Sequence, residues 1–213
     1  MDHDRRFIPT TGPMFSRTSP AKADLATDLA IPLLAQGGWS ALTLRKMAKA
    51  GNVTPPAIAA WFPSVHEMRA AIAQRYGERW LRERGYVARR RLWWPALDET
   101  SALPTVGLPD GVLPRAALAL LPATWLEKVF DGVWLTVVEA GRWDEEIASS
   151  VAAVLAAERD LVAELLGGGP GLGQAPLEQD VDLVLATVRG LRASCAGQRG
   201  EVTSASAGRT SAM

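Results

Sequence analysis

From Pro20 onward the chain alternates stretches of helical apolar spacing with sharp punctuation. Leu25, Leu29 and Leu33, joined by Ala26, Ala30 and Leu34, recur at the intervals of one helix face, and Gly37-Gly38 closes the stripe. Ser19 followed by Pro20 marks its start, because serine caps free amides and proline tolerates the first helical position. Pro32 removes one bond of the ladder and predicts a kink, or a helix shortened at one end. Thr43 caps a second helix, Leu44 to Ala50, which Gly51-Asn52 ends with turn geometry. Thr54 caps a third that runs to Ala60, with Pro55 and Pro56 in a first turn whose amides lack helical partners in any case. After Trp61-Phe62-Pro63, Ser64 and Glu67 form a capping box in front of a long fourth helix that reaches Leu92.

The segment from Pro95 to Pro114 carries four prolines and little periodicity, which predicts a long loop or a loop holding a short helix. Helical spacing returns over 122–140, 144–166 and 177–195, and the last of these has a stripe of Val181, Val184, Val188, Leu191 and Cys195. No stretch alternates in the way a half-buried strand requires, so the fold class is all-α. Residues 1–18, with Pro9, Gly12 and Pro13, and the small polar residues 196–213 read as disordered tails. Between them lie a small unit of short helices, 19–63, and a larger helical bundle, 64–195.

Composition narrows the class without choosing a partner. The 213 residues are 48% hydrophobic and balance 23 basic against 23 acidic side chains, which excludes a disordered or polycationic chain. Cys195 is the single cysteine, so an intrachain disulfide and a thiolate metal cluster are excluded and a reducing compartment is expected. No segment approaches the roughly 20 apolar residues that span a bilayer. The reading is a cytoplasmic protein with no membrane association.

Two short helices joined by a tight turn, with one helix before and a long one after, is the layout of a helix-turn-helix. The stretch from Ala35 to Ile58, followed by Trp61-Phe62-Pro63-Ser64, resembles the N-terminal domain of the TetR family of transcriptional regulators. Trp39 matches the aromatic residue after the first helix, Thr43 the start of the second, and Met47-Ala48 the apolar-Ala pair inside it. Val53-Thr54 matches the opening of the recognition helix, and Phe62-Pro63-Ser64 the start of the fourth. The resemblance covers residues 22–75. It departs from the family at Asn52, where glycine is usual, and at Ala59 and Val65, where the family commonly places a tyrosine and a lysine that touch DNA phosphates.

The resemblance implies a three-helix DNA-binding domain over 19–63 and a ligand-binding and dimerisation domain over 64–195. It implies a ligand-responsive repressor that binds a double-stranded DNA operator as a homodimer. Thr43, Arg45, Lys46, Lys49, Thr54, Pro55, Ala57 and Trp61 are the expected DNA-contacting residues. The alternative for the charged ones is a solvated basic face. The arginines between Arg75 and Arg91 either extend a phosphate track or form solvated pairs such as Glu78 with Arg82. With 195 as the last helical residue, the dimer interface would have to come from 144–166 and 177–195, or the partner helix is missing.

Eight tryptophans are many for this length. Trp94, Trp125, Trp134 and Trp143, with Phe130 and Val138, are the expected lining of a cavity for a small apolar or aromatic ligand. The competing reading is that the rings fill a core. Glu127 and Asp131 lie one helical turn apart on the face of Trp134 and Val138. Under an alternative function, in which the fold has lost DNA binding and transforms a small apolar molecule, they would serve as catalytic acid and base. They could equally occupy an exposed face beside Lys128. His3 and His66 offer no triad or metal pair, and the glycine-rich run at 167–173 follows a helix and lacks the lysine of a phosphate loop. No metal and no cofactor are expected.

Overall fold

Helices form where the caps and apolar stripes place them. The computed structural model describes residues 20–93, 111–167 and 176–207, with the backbone alone from 195 onward. In chain order the helices are α1 (Pro20–Gly37), α2 (Leu44–Ala50), α3 (Pro55–Ala59), α4 (Val65–Trp93), α5 (Val112–Leu120), α6 (Trp125–Ala140), α7 (Glu145–Leu166) and α8 (Glu178–Ala207). A short 3-10 turn, Trp39–Ala41, joins α1 to α2, and no strand occurs among the described residues. Thr43 caps α2 by accepting from the Lys46 amide at 3.3 Å, and Ser64 caps α4 by accepting from the Glu67 amide at 3.1 Å. Asp144 caps α7 by accepting from the Glu146 and Ile147 amides at 3.1 and 3.3 Å.

Four local expectations change. The first helix is not shortened at Pro32: it continues to Gly37, with the proline ring on its exposed side. Thr54 stands at the N-cap of α3, but its hydroxyl accepts no capping bond. Pro55 and Pro56 offer no amides, and the Ala57 amide bonds to the Thr54 carbonyl at 2.9 Å instead. Helix α5 begins inside the segment expected to be a loop or a loop holding a short helix, and it runs past Pro114 to Leu120. The last helix does not stop at Cys195; its backbone stays helical to Ala207, and no proline interrupts it. The remainder of the two expected tails, Trp94 and most of the proline-rich segment lie outside the described residues.

Helix α4 is the central element, packed by α1, α5, α6 and α7. Its first half belongs to an apolar cluster that runs from Leu34, Leu42, Met47 and Ile58 through Met68, Ile72 and Trp80 to Trp134, Val137, Ile147 and Val151. Its second half meets another cluster, in which Ala88 packs with Leu120, Leu161, Leu165, Val181, Val184 and Val188. The Trp80 and Trp134 rings stack at 4.9 Å between centroids. Gly77 lets α4 approach them, since a Cβ there would sit 2.8 Å from Val154 Cγ2 and 3.0 Å from Trp134 Cζ3.

Between the two apolar clusters lies a set of buried charges. Asp131 of α6 accepts from the Trp80 indole at 2.9 Å and from Arg84, and its second oxygen lies 3.3 Å from Arg192 Nε. Arg192 of α8 also donates to Glu158 of α7 at 2.7 Å and to the Leu120 carbonyl at 2.9 Å. Arg91 donates to both oxygens of Glu127, at 2.9 and 3.0 Å, and to the Ala119 and Leu121 carbonyls. Three buried guanidiniums, Arg84, Arg91 and Arg192, are thus met by the three carboxylates of Glu127, Asp131 and Glu158. Burial, the strongest influence, holds the Arg84 guanidinium below its ordinary value against the pull of Asp131, and burial with the Asp131 charge pushes the Tyr76 phenol up.

Removing one member of a buried pair leaves the other charge without compensation, which costs about 3–5 kcal/mol. Asp131→Asn is therefore expected to lower folding stability by about that amount, because it strips charge from a carboxylate that faces two arginines. Urea unfolding measures it, and a loss under about 1 kcal/mol would contradict the assignment. Gly77→Ala is expected to cost about 1–3 kcal/mol by overpacking against Trp134 and Val154. In the same assay, an unchanged midpoint would show that the two helices have slack at that contact.

Candidate nucleic-acid interface

The α2-turn-α3 unit is held from beneath by its apolar residues. Met47 and Ala48 of α2 and Ile58 of α3 are buried, and Phe62 follows them into the core. The turn closes through the Gly51 amide to the Met47 carbonyl at 2.9 Å and the Val53 amide to the Ala48 carbonyl at 3.0 Å. Asn52 takes the left-handed conformation at φ 50°, so the residue that departs from the usual glycine still makes the required bend. Arg69 of α4 donates to the Leu42 carbonyl through Nε and Nη2, at 3.3 and 3.0 Å. That arginine, half-buried, braces the unit from α4.

What remains outward is basic. Arg45, Lys46 and Lys49 are exposed on α2, beside exposed Thr43. Thr54 and Pro55 are exposed at the start of α3, and Ala57 and Trp61 are half-buried. The structure thus brings the eight expected DNA-contacting residues onto one continuous helix-turn-helix unit. Between Asp28 and Glu67 the sequence holds no acidic residue. The nearby acids on α1 are engaged elsewhere, Asp24 with Arg75 and Asp28 with Arg79. At the two departures from the family, Val65 packs against the core and Ala59 is exposed with no polar group to offer.

Most arginines of α4 meet acids of this chain, and Glu78 pairs with Arg75 instead of the expected Arg82. Arg75 and Arg79 pair with α1, Arg89 with Glu164 of α7, and Arg84 and Arg91 lie in the buried charge cluster. His66, in the first turn of α4, lies 3.2 Å from Asp144 Oδ2 and 3.0 Å from Glu146 Oε2, and so links the base of the helix-turn-helix to the start of α7 when protonated.

The residues expected to line a ligand cavity are not gathered into one. Trp134 is 3% exposed and stacked on Trp80, while Trp125 and Trp143 are 75% and 84% exposed near the two ends of α6. Phe130 lies beside Tyr76, whose hydroxyl donates to the Phe130 carbonyl at 2.7 Å, and Val138 packs against the first apolar cluster. Trp94 lies outside the described residues. The shared face of Glu127, Asp131, Trp134 and Val138 exists, but it faces inward instead of toward solvent or an open pocket. The acid-base reading is corrected: Asp131 is buried and accepts from Arg84 and Trp80, and Glu127 accepts from Arg91 and the Ala123 amide, so both carboxylates are engaged by groups of this chain. An open groove of about 480 Å³ runs instead between α7 and α8, lined by Leu155, Ala156, Leu185 and Ala186 with the Arg159–Asp182 ion pair.

Among the described residues no group of three or more histidine, cysteine, aspartate or glutamate side chains is arranged to hold a metal ion, and no helix is long and apolar enough to cross a membrane. No family model and no curated protein matches the sequence. Solved structures do. The chain is similar to a transcriptional regulator from Rhodococcus sp. Rha1, with a TM-score of 0.61 at 21% identity over 84% of this chain and 85% of that one. It is also similar to a Rhodococcus protein described as a TetR-family transcriptional regulator, with a TM-score of 0.53 at 15% identity over 83% and 88% of the two chains. The all-helical arrangement of an N-terminal helix-turn-helix and a C-terminal helical bundle is therefore a fold that this chain shares with these two solved structures.

Proposed function

We propose that this chain is a DNA-binding transcriptional regulator of the TetR type, acting in the cytoplasm as a ligand-responsive homodimeric repressor. The observation that carries the reading is the helix-turn-helix surface: Arg45, Lys46 and Lys49 are exposed on one unit within a stretch that holds no acidic residue. Such a surface suits a polyanion, because each neutralised phosphate releases counterions regardless of sequence.

The dimer reading is supported by the outer faces of α7 and α8. Leu183 and Leu191 are 56% and 44% exposed, and Ala152, Ala153 and Ala156 are exposed on α7. Gly190 lies on the same side of α8, with nothing within 4 Å of an added Cβ. A glycine inside an exposed helix is unfavourable by about 1 kcal/mol relative to alanine, and close approach of a second copy would account for it. Ligand response would run through α4. That helix, about 44 Å long at 1.5 Å per residue, begins against the helix-turn-helix and carries Trp80, Arg84 and Arg91 into the buried charge cluster. A ligand that rearranged α6 or α8 would shift α4, and with it the spacing of the two reading heads.

Two outcomes are expected. Lys46→Ala with Lys49→Ala should weaken duplex binding nearly uniformly across sequences and reduce the salt slope by about one for each phosphate that is no longer neutralised. Fluorescence anisotropy over a salt series measures this, and an unchanged slope would remove the two lysines from the interface. Gly190→Ala should weaken self-association in sedimentation while leaving the helix content intact. Unaltered self-association would move the dimer contact away from that part of α8.

A further inference from the structure

Helix α3 lacks the chemistry that reads bases by hydrogen bonding. Its five residues, Pro55, Pro56, Ala57, Ile58 and Ala59, include no polar side chain. Ile58 is buried, and the exposed positions are Pro55, Pro56 and Ala59. The polar side chains nearest in sequence, Asn52 and Thr54, precede the first turn. In the major groove the four base pairs differ in donors and acceptors, and the one apolar feature among them is the thymine 5-methyl group. An apolar strip next to the exposed cations of α2 is complementary to a groove that is anionic at its walls and offers methyl groups on its floor.

We infer, resting on the DNA-binding reading above, that α3 selects its site by packing Pro55, Pro56 and Ala59 on thymine methyl groups, while Arg45, Lys46 and Lys49 hold the phosphates without reading sequence. The base preference then lies in the methyls, and it does not require a bidentate arginine-guanine or amide-adenine pair. Substituting uracil for thymine leaves every hydrogen-bonding edge in place and removes only the methyl, so it isolates this contact.

The test enriches duplexes from a random pool with the full-length protein and resynthesises them with dU for dT, one position at a time. At each contacted position the affinity should fall about fourfold, the ratio that corresponds to about 0.8 kcal/mol for a buried methyl-sized group. In the variant carrying Pro55→Ala and Pro56→Ala, with its helix content confirmed by circular dichroism, the dT-to-dU ratio should fall toward one. Enriched duplexes in which dU is neutral at every position overturn the inference and leave DNA binding standing. Salt-dependent binding without enrichment does the same. Failure to bind any duplex at low salt overturns both the inference and the reading on which it rests.

Discussion

The buried charge cluster between the two apolar clusters is the constraint on which the rest of the molecule depends. Trp80 and Ala88 of α4 belong to different clusters, and Arg84 lies between them; Val154 and Leu161 of α7 likewise flank Glu158. Asp131 and Arg192 complete the crossing from α6 and α8. Each charge would be costly alone in that setting, and the four helices satisfy one another only when they are all in register. Apolar packing specifies the positions of these helices loosely. The ion pairs and the indole hydrogen bond admit far fewer arrangements.

That arrangement has a mechanical consequence for the opposite end of the molecule. Helix α4 reaches from its Ser64 cap to the charge cluster without a break, and the first apolar cluster joins α1, α2 and α3 to α6 and α7 on the way. The helix-turn-helix is therefore seated on the same packed interior that the charges organise. When protonated, His66 adds a second tie, between the start of α4 and the start of α7. The helix-turn-helix packs on the first half of α4, and the second half of α4 is held where its arginines meet their carboxylates.

Much of this was legible in the residues. The helix-turn-helix followed from Thr43, Gly51-Asn52 and the paired prolines, since caps and turns are local and leave local marks. Helix α5 straddles the end of the proline-rich segment, and Pro114 in its first turn reads locally as punctuation. The tryptophans misled for another reason: ring size reports the capacity to pack and says nothing of direction, so Trp134 went inward onto Trp80 while Trp125 and Trp143 stayed exposed. The charge cluster does leave a signal in the sequence. Arg84, Asp131, Glu158 and Arg192 each lie on the inward face of a helix, among buried apolar residues. Charges of both signs inside apolar stripes on separate helices imply that the stripes meet. Which charge meets which is set by tertiary contacts, and no local spacing encodes it.

On the proposed function, apolar α3 and the basic flank of α2 are what meet DNA, and the most direct measurement is binding of the unmodified protein to duplex DNA across a salt series. The account predicts saturable binding at about 50 mM salt, with log affinity falling linearly in log salt at a slope of about −0.9 for each phosphate neutralised. Absence of binding at low salt, or an affinity insensitive to salt, would contradict it.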